Sequence, residues 1–308
     1  MASAAATLSA LRQRIAAIET GSVALPDEAA FSVEAASGAV AAGRRARRVP
    51  IDRDAVDAWL GGGLARGGLH EFYPAAAGDQ IAADGVAALL AFAAAPPGSP
   101  LVWIRQGEAV REGGELHADG LAALGLDPAR LIVVRLERAV SVVRAGIEAA
   151  RTSAVGAALI EPWGNPRDLD LTTQRRLALA AEASGVTLFL LRPGATPAPG
   201  SAETRWLLRA EPAAALAADA PGMPTFALQL LRHRHGPAGG PWRLRWNADD
   251  RRFEPAPLLR DPPALPRLRP AAATAASPVP EPGGASAAAD RREGEGRDAH
   301  RRAGSGGA

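Results

Sequence analysis

The sequence predicts an α/β protein. The expected sheet is doubly wound and mostly parallel, with a C-terminal antiparallel extension, a short N-terminal helix and a C-terminal tail that should be disordered. Three observations carry this. First, the β-type runs Leu101–Arg105, Leu131–Leu136, Ala157–Ile160 and Val186–Leu191 are continuously apolar rather than alternating, as strands covered on both faces are. Second, segments of helical period separate them, so the connections should be right-handed crossovers. Third, after about residue 200 strand candidates follow one another without helices, and from about residue 255 large apolar residues almost vanish.

In chain order, Leu8, Leu11, Ile15 and Ile18 recur at helical spacing and predict a short amphipathic helix over residues 7–19. Residues 20–50 are Ala/Gly-rich and end in Arg44-Arg45-Ala46-Arg47-Arg48, the pattern of a solvated linker. Val56, Trp59 and Leu60 suggest a short helix stopped by Gly61-Gly62-Gly63. Leu69–Tyr73 reads as a strand, Ile81–Phe92 as an apolar helix and Ala118–Leu124 as a helix closed near Gly125. Val140, Val143, Ile147 and Ala150 mark one helix face; Leu177, Ala180, Ala181 and Ser184 mark another, closed by Gly185. Arg205–Arg209, Phe226–Leu231 and Trp242–Trp246 are the late strands, the last two joined by Gly236-Pro237-Ala238-Gly239-Gly240 as a hairpin. The organisation is therefore 1–50 helix and linker, 51–254 α/β domain and 255–308 tail, whose Pro/Ala/Gly/Arg composition cannot offset its ordering entropy.

Composition excludes several chemistries. The chain has no Cys, so disulfides, thiolate metal sites and Cys nucleophiles are out. No GxSxG elbow occurs, and the five His show no paired metal-ligand spacing, so neither a hydrolase site nor a metal site is expected. All 35 basic residues are Arg, and the formal charge is only +2. From residue 251 onward ten Arg face seven Asp/Glu, leaving residues 1–250 at a formal −1. A folded part without a basic surplus argues against strong nucleic-acid binding, so any DNA contact is expected to be weak. No apolar run approaches the roughly 18–20 residues of a membrane span, and the N-terminus lacks a basic segment followed by an apolar one. A cytoplasmic protein with no membrane contact is the expectation.

The segment Leu69-His70-Glu71-Phe72-Tyr73-Pro74-Ala75-Ala76-Ala77-Gly78-Asp79-Gln80 has the layout of strand, small-residue turn and helix that cradles phosphates in a P-loop. A working P-loop needs a Lys on the β/γ oxygens and a Ser/Thr on Mg²⁺. After Gly78 this chain has Asp79 and Gln80 instead, and an Asp there repels a polyphosphate. No cofactor and no catalytic residue are expected.

Residues 56–73, a short helix, a glycine cluster and a strand ending in Tyr73, resemble the start of the ATPase core of RecA-type recombinases. Ala157-Ala158-Leu159-Ile160-Glu161 resembles the Walker B strand, with Glu161 in place of the usual Asp. Gly-Gly-Gly-Leu-Ala-Arg-Gly at 61–67, Leu-Gly-Leu-Asp-Pro-Ala-Arg-Leu at 124–131 and Arg-Arg-Leu-Ala-Leu-Ala-Ala-Glu-Ala-Ser-Gly-Val-Thr at 175–187 resemble the ImuA family, a RecA-like offshoot also called SulA-like. So do Leu-Leu-Arg-Pro at 190–193 and Thr-Arg-Trp at 204–206, and the likeness covers roughly residues 1–250. It implies a RecA-like fold and a non-catalytic accessory of damage-induced mutagenesis. That accessory would bridge an ImuB-like, inactive Y-family polymerase relative and an error-prone DNA polymerase, with RecA or self-association as further contacts. An active recombinase-type ATPase binding single-stranded DNA and a SulA-like cell-division inhibitor are the alternatives.

With the nucleotide site degenerate, two features are the candidate partner-binding surfaces. One is the stripe Leu8, Leu11, Ile15 and Ile18; the other is the alternating set Arg232, Arg234, Arg243 and Arg245 on the hairpin. Trp163, between Pro162 and Gly164, is either a loop anchor or a base-stacking platform.

Overall fold

A computed structural model describes residues 4–19, 48–214, 220 and 222–257. They fall within one compact unit spanning Met1–Pro263; the predicted linker over 20–47 and nearly all of the predicted tail lie outside the described residues.

The chain runs α1 (Ala4–Glu19), β1 (Arg48–Val49), α2 (Ala55–Leu60), β2 (Leu64–Ala65), β3 (Leu69–Pro74) and α3 (Gln80–Ala94). It continues with β4 (Leu101–Gln106), α4 (Gly107–Gly113), α5 (Ala118–Ala123), β5 (Leu131–Leu136), α6 (Ala139–Arg151) and β6 (Ala157–Glu161). Then come α7 (Leu171–Ser184), β7 (Thr187–Leu191), β8 (Thr204–Glu211), β9 (Thr225–His233), β10 (Gly239–Asn247) and β11 (Arg252–Pro255). Nine strands form one sheet in the order β11-β10-β9-β8-β3-β7-β6-β4-β5. From β8 to β5 every neighbouring pair is parallel; from β8 to β11 every pair is antiparallel. This is the mostly parallel sheet with an antiparallel extension that the sequence predicts.

Two apolar layers sandwich the sheet. On one face α3 packs its Val86, Leu89 and Leu90 against Phe72, Trp103 and Phe189. That layer continues under the extension through Trp206, Leu228, Leu244 and Trp246. On the other face α6 and α7 cover Val102, Ile104, Ile160, Leu188 and Leu190. The stretch Ala77–Ala94 is 18 residues long and apolar enough to cross a membrane, with mean hydropathy 1.2, contrary to the expectation that no such run exists. It is the central core helix and the turn before it, with 72% of the window buried inside the fold.

Local signals explain the element ends. Asp170 accepts a hydrogen bond from Thr173 N–H at 2.7 Å and starts α7; Gly185, at φ 80°, ends it. Gly61, at φ 70°, closes α2. At Gly63 a Cβ would stand 2.2 Å from the Val49 carbonyl oxygen, so only Gly lets β2 lie against β1.

Four elements were not predicted. β1 and β2 are two residues each and pair only with one another. α4 is a seven-residue helix rich in Gly and charge. β11 exists because Phe253 is buried, its ring 4.9 Å from that of Trp246, and local sequence carries no trace of that contact.

Candidate functional site

In an open α/β sheet, ligands bind at the carboxyl ends of strands where the strand order reverses. Here the chain leaves β4 for β5 on one side and then returns through α6 to β6 on the other. The reversal therefore lies between β4 and β6, beside the loop that follows β3. The residues there are Tyr73–Gln80, Asp84, Arg105 and Glu161.

The loop does not form a phosphate cradle. Set on the frame G-x-x-x-x-G-K-[ST], the first Gly is Tyr73, the Lys is Asp79 and the Ser/Thr is Gln80. Asp79 is folded into the backbone. Its Oδ2 accepts from Ala76 N–H at 3.1 Å, and its Oδ1 accepts from Ala210 N–H at 2.9 Å, tying the turn to β8. Gln80 is buried, and its Nε2 donates to the Ala109 carbonyl at 3.2 Å. Gly78 has open space where a Cβ would stand. The side chains that should meet phosphate and Mg²⁺ thus brace the protein itself.

Glu161 ends β6 and is fully buried. It lies opposite Arg105 of β4 in the parallel register. Arg105 Nε donates to Glu161 Oε2 at 2.6 Å and Nη2 donates to Oε1 at 3.1 Å. Trp103 Nε1–H adds a bond to Oε2 at 2.8 Å, and Arg105 Nη1 donates to the Gly114 carbonyl at 2.8 Å. Asp84 on α3 stands 3.9 Å from Arg105 Nη2. Burial, and then the charge of Glu161, push the Asp84 carboxyl well above the usual carboxylate range. A Walker B carboxylate must be free to hold a metal-bound water; here a guanidinium and an indole take both oxygens. Among the described residues no three His, Asp or Glu side chains converge as metal ligands do. The residues at this end of the sheet do not fit a nucleotide–Mg²⁺ complex.

A second buried pair repeats the pattern one strand away. Glu71 of β3 faces Arg205 of β8 in register, with Nε donating to Oε2 at 2.6 Å, and Arg192 approaches Oε1 at 3.9 Å. Sequence reasoning missed Arg105, Glu71 and Arg205 as a set. The available signal was opposite charges inside otherwise apolar strands, a costly placement unless the charges pair. Glu108, just after β4, sits in α4 paired with Arg111. Gly107 packs on Glu137, whose carboxylate lies 2.6 Å from where a Cβ would be.

The expected partner surfaces are redistributed. Leu11, Ile15 and Ile18 are buried, at 4%, 6% and 5% exposure, and Leu11 and Ile15 belong to the layer under α6. α1 is fastened there by Arg14–Glu148 at 2.7 Å. The stripe is satisfied within the chain, which corrects its reading as a free docking face. Leu8 lies in α1, but its side chain is outside the described residues. The Arg set also fails to form one patch. Arg243 and Arg245 pair with Ala227 and Thr225, so they stand five to seven residues along β9 from Arg232, roughly 17–23 Å away. Arg243 is held by the Pro212 and Pro257 carbonyls and Arg245 by Glu254. Arg232 donates to the Gly200 and Ala202 carbonyls at 2.8 and 3.0 Å, and Arg234 stands 3.7 Å from Glu203. Trp163 is the loop anchor: its ring packs on Gly194, and its backbone N–H donates to Gln106 Oε1 at 2.9 Å.

No family model matches the chain. Curated relatives do: Protein ImuA of Caulobacter vibrioides, strain NA1000 / CB15N, is 33% identical over 199 residues, covering 60% of this chain and 77% of the relative. Protein ImuA of strain ATCC 19089 / CB 15 matches with the same figures. Among solved structures the RadB recombinase aligns over 66% of this chain and 97% of its own, at 16% identity and TM-score 0.45.

Proposed function

The chain belongs to the ImuA family, and from that premise we propose that it is a non-catalytic accessory of damage-induced mutagenesis. It is a RecA-like scaffold serving translesion DNA synthesis in the cytoplasm. Its partners are an ImuB-like relative of Y-family polymerases and an error-prone DNA polymerase. The observation that carries the non-catalytic part is Asp79. It occupies the P-loop Lys position, and both of its oxygens hold backbone N–H groups. A carboxylate there opposes binding of a polyphosphate, and nothing on Glu161 is left to activate water.

The test has two arms. Purified full-length protein should show no ATP hydrolysis above background, with or without single-stranded DNA. Hydrolysis that disappears in Glu161→Gln would overturn the reading. From DNA-damaged cells, the tagged protein should capture the ImuB-like partner; its absence from the captured fraction would remove the accessory role.

A further inference from the structure

A second cleft lies at the opposite end of the sheet, at the amino ends of β3 and β8. Its volume is about 640 Å³. Its floor is His70 and Thr204, and its walls are the loop after β2, the stretch of α7 from Arg175 to Glu182, and the end of β9. The floor is closed to ligands. Trp206 Nε1–H donates to Thr204 Oγ1 at 2.8 Å, and Thr204 Oγ1 contacts His70 Nδ1 at 2.7 Å. His70 Nε2 contacts the Ala65 carbonyl at 2.9 Å, so the carbonyl fixes Nε2 as the protonated nitrogen and both ring positions are used.

The walls are different. Five Arg, at 48, 66, 175, 232 and 234, line the cleft against two acidic residues, Glu182 and Glu203; Arg66 is held by the Ala93 and Ala94 carbonyls, and Glu203 is approached by Arg234 and His235. Arg48 and Arg232 are positioned by bonds to carbonyls of Gly63, Gly200 and Ala202. A neutral carbonyl orients a guanidinium without cancelling its charge. Arg175 and Arg234 stand exposed on opposing walls. Beside Arg175, Leu179 is 40% exposed and forms an aliphatic step with Ala178. His233 Nδ1, at the end of β9, is buried without a hydrogen-bond partner among the described residues.

We propose that this cleft binds an acidic, leucine-bearing segment of a partner protein. The idea rests on the accessory reading above and gives it a surface. Charge complementarity selects an anionic ligand. The lining selects a peptide over nucleic acid: it contains no Trp, Tyr or Phe on which a base could stack, but it has the aliphatic step a leucine would cover. Arg232 and Arg234 contribute here, whereas Arg243 and Arg245, at the far end of the hairpin, do not.

The test uses full-length protein and a fluorescein-labelled peptide of roughly five Asp-Glu-Leu repeats, read by fluorescence anisotropy. The comparators are the Asn-Gln-Leu peptide of equal length and an oligo-dT of similar length. The acidic peptide should bind and the neutral one should not. Arg175→Glu with Arg234→Glu should weaken binding by about tenfold or more. Leu179→Glu should weaken it as well, and added salt should mimic the Arg changes. Arg243→Glu should have no effect. All substituted side chains but Arg243 are exposed, and circular dichroism checks that each variant is folded. Should the double variant unfold, Leu179→Glu and the salt series decide. No binding of the acidic peptide, binding indifferent to these changes, or oligo-dT bound in preference with the same dependence would each overturn the proposal. Capture of the ImuB-like partner separates the two readings. Capture that persists in the double variant removes the cleft alone; no capture by the unaltered protein removes the accessory role.

Discussion

Arg105 and Glu161 face one another across β4 and β6 in register, Nε 2.6 Å from Oε2, inside a sheet that excludes water from both. The carboxylate that ends β6 is thus half of a buried ion pair. Attraction in a low-dielectric interior offsets desolvation only when geometry is good, and removing one partner strands the other. Burial alone would lower the Arg105 pKa, but the hydrogen bond and charge of Glu161 outweigh it and hold it above the ordinary value.

Glu161→Gln should therefore cost about 3 kcal/mol, because it leaves the buried Arg105 charge with only Asp84, 3.9 Å away, to offset it. Arg105→Met with Glu161→Leu should cost less than either single change. Denaturant unfolding of Glu161→Gln, of the two single changes and of the double checks this. Equal stability of Glu161→Gln and the unaltered protein would mean the pair carries no structural weight.

Replacing Asp79 with Lys and Gln80 with Thr should not create an ATP-binding site. Tyr73 still fills the first glycine position, and the loop still lacks glycine backbone to wrap phosphate. The change should instead lose the Asp79 bonds to Ala76 and Ala210 N–H and the Gln80 bond to the Ala109 carbonyl, costing about 1 kcal/mol or more. Thermal unfolding with and without Mg-ATP reads both effects; a rise of the midpoint with nucleotide would contradict the first.

His70 should make the fold acid-sensitive over a defined window. Burial lowers its pKa to about 4 from an ordinary 6.5. Above 6.5 the ring is neutral in folded and unfolded chains alike and contributes no pH dependence. As pH falls from 6.5 towards 4, only the unfolded chain takes up the proton, and stability drops by up to about 3 kcal/mol. His70→Gln should flatten that part of the stability profile, measured by urea unfolding across the range, whatever it does to stability at neutral pH.

Asp84 should behave in the opposite sense. Its folded pKa is raised by burial and by Glu161, so its ionised form opposes folding. The penalty is complete above the raised folded pKa and vanishes below the ordinary value of 3.8. Asp84→Asn should stabilise the protein at neutral pH and above, by about 1 kcal/mol or roughly 2–4 °C in Tm. The gain should disappear in strong acid. A Tm lowered at neutral pH would show that Asp84 is held ionised by Arg105 instead.

Much of the fold was legible because its signals are local. Continuous apolar strands, helical periodicity, Asp170 and Gly185 around α7 and the glycines after α2 each act within a few residues. The absence of the P-loop Lys and Ser/Thr was legible too, since both are required by position and Asp79 and Gln80 stand there. The stripe on α1 was read correctly as amphipathic, but periodicity says only that a face is buried, not in what, and α6 turned out to cover it.

By itself, then, the sequence determined the parallel sheet and the residues of the turn after β3, because both depend on neighbours in the chain. Only the tertiary structure decided which charges pair and which surface stays open. Glu161 meets Arg105 across 56 residues and Glu71 meets Arg205 across 134. Arg232 and Arg234 part from Arg243 and Arg245 because a hairpin sends its two ends in different directions. The cleft gathers its cations from β1, β9, α7 and the loop after β2, segments whose proximity is set by strand order and not by spacing.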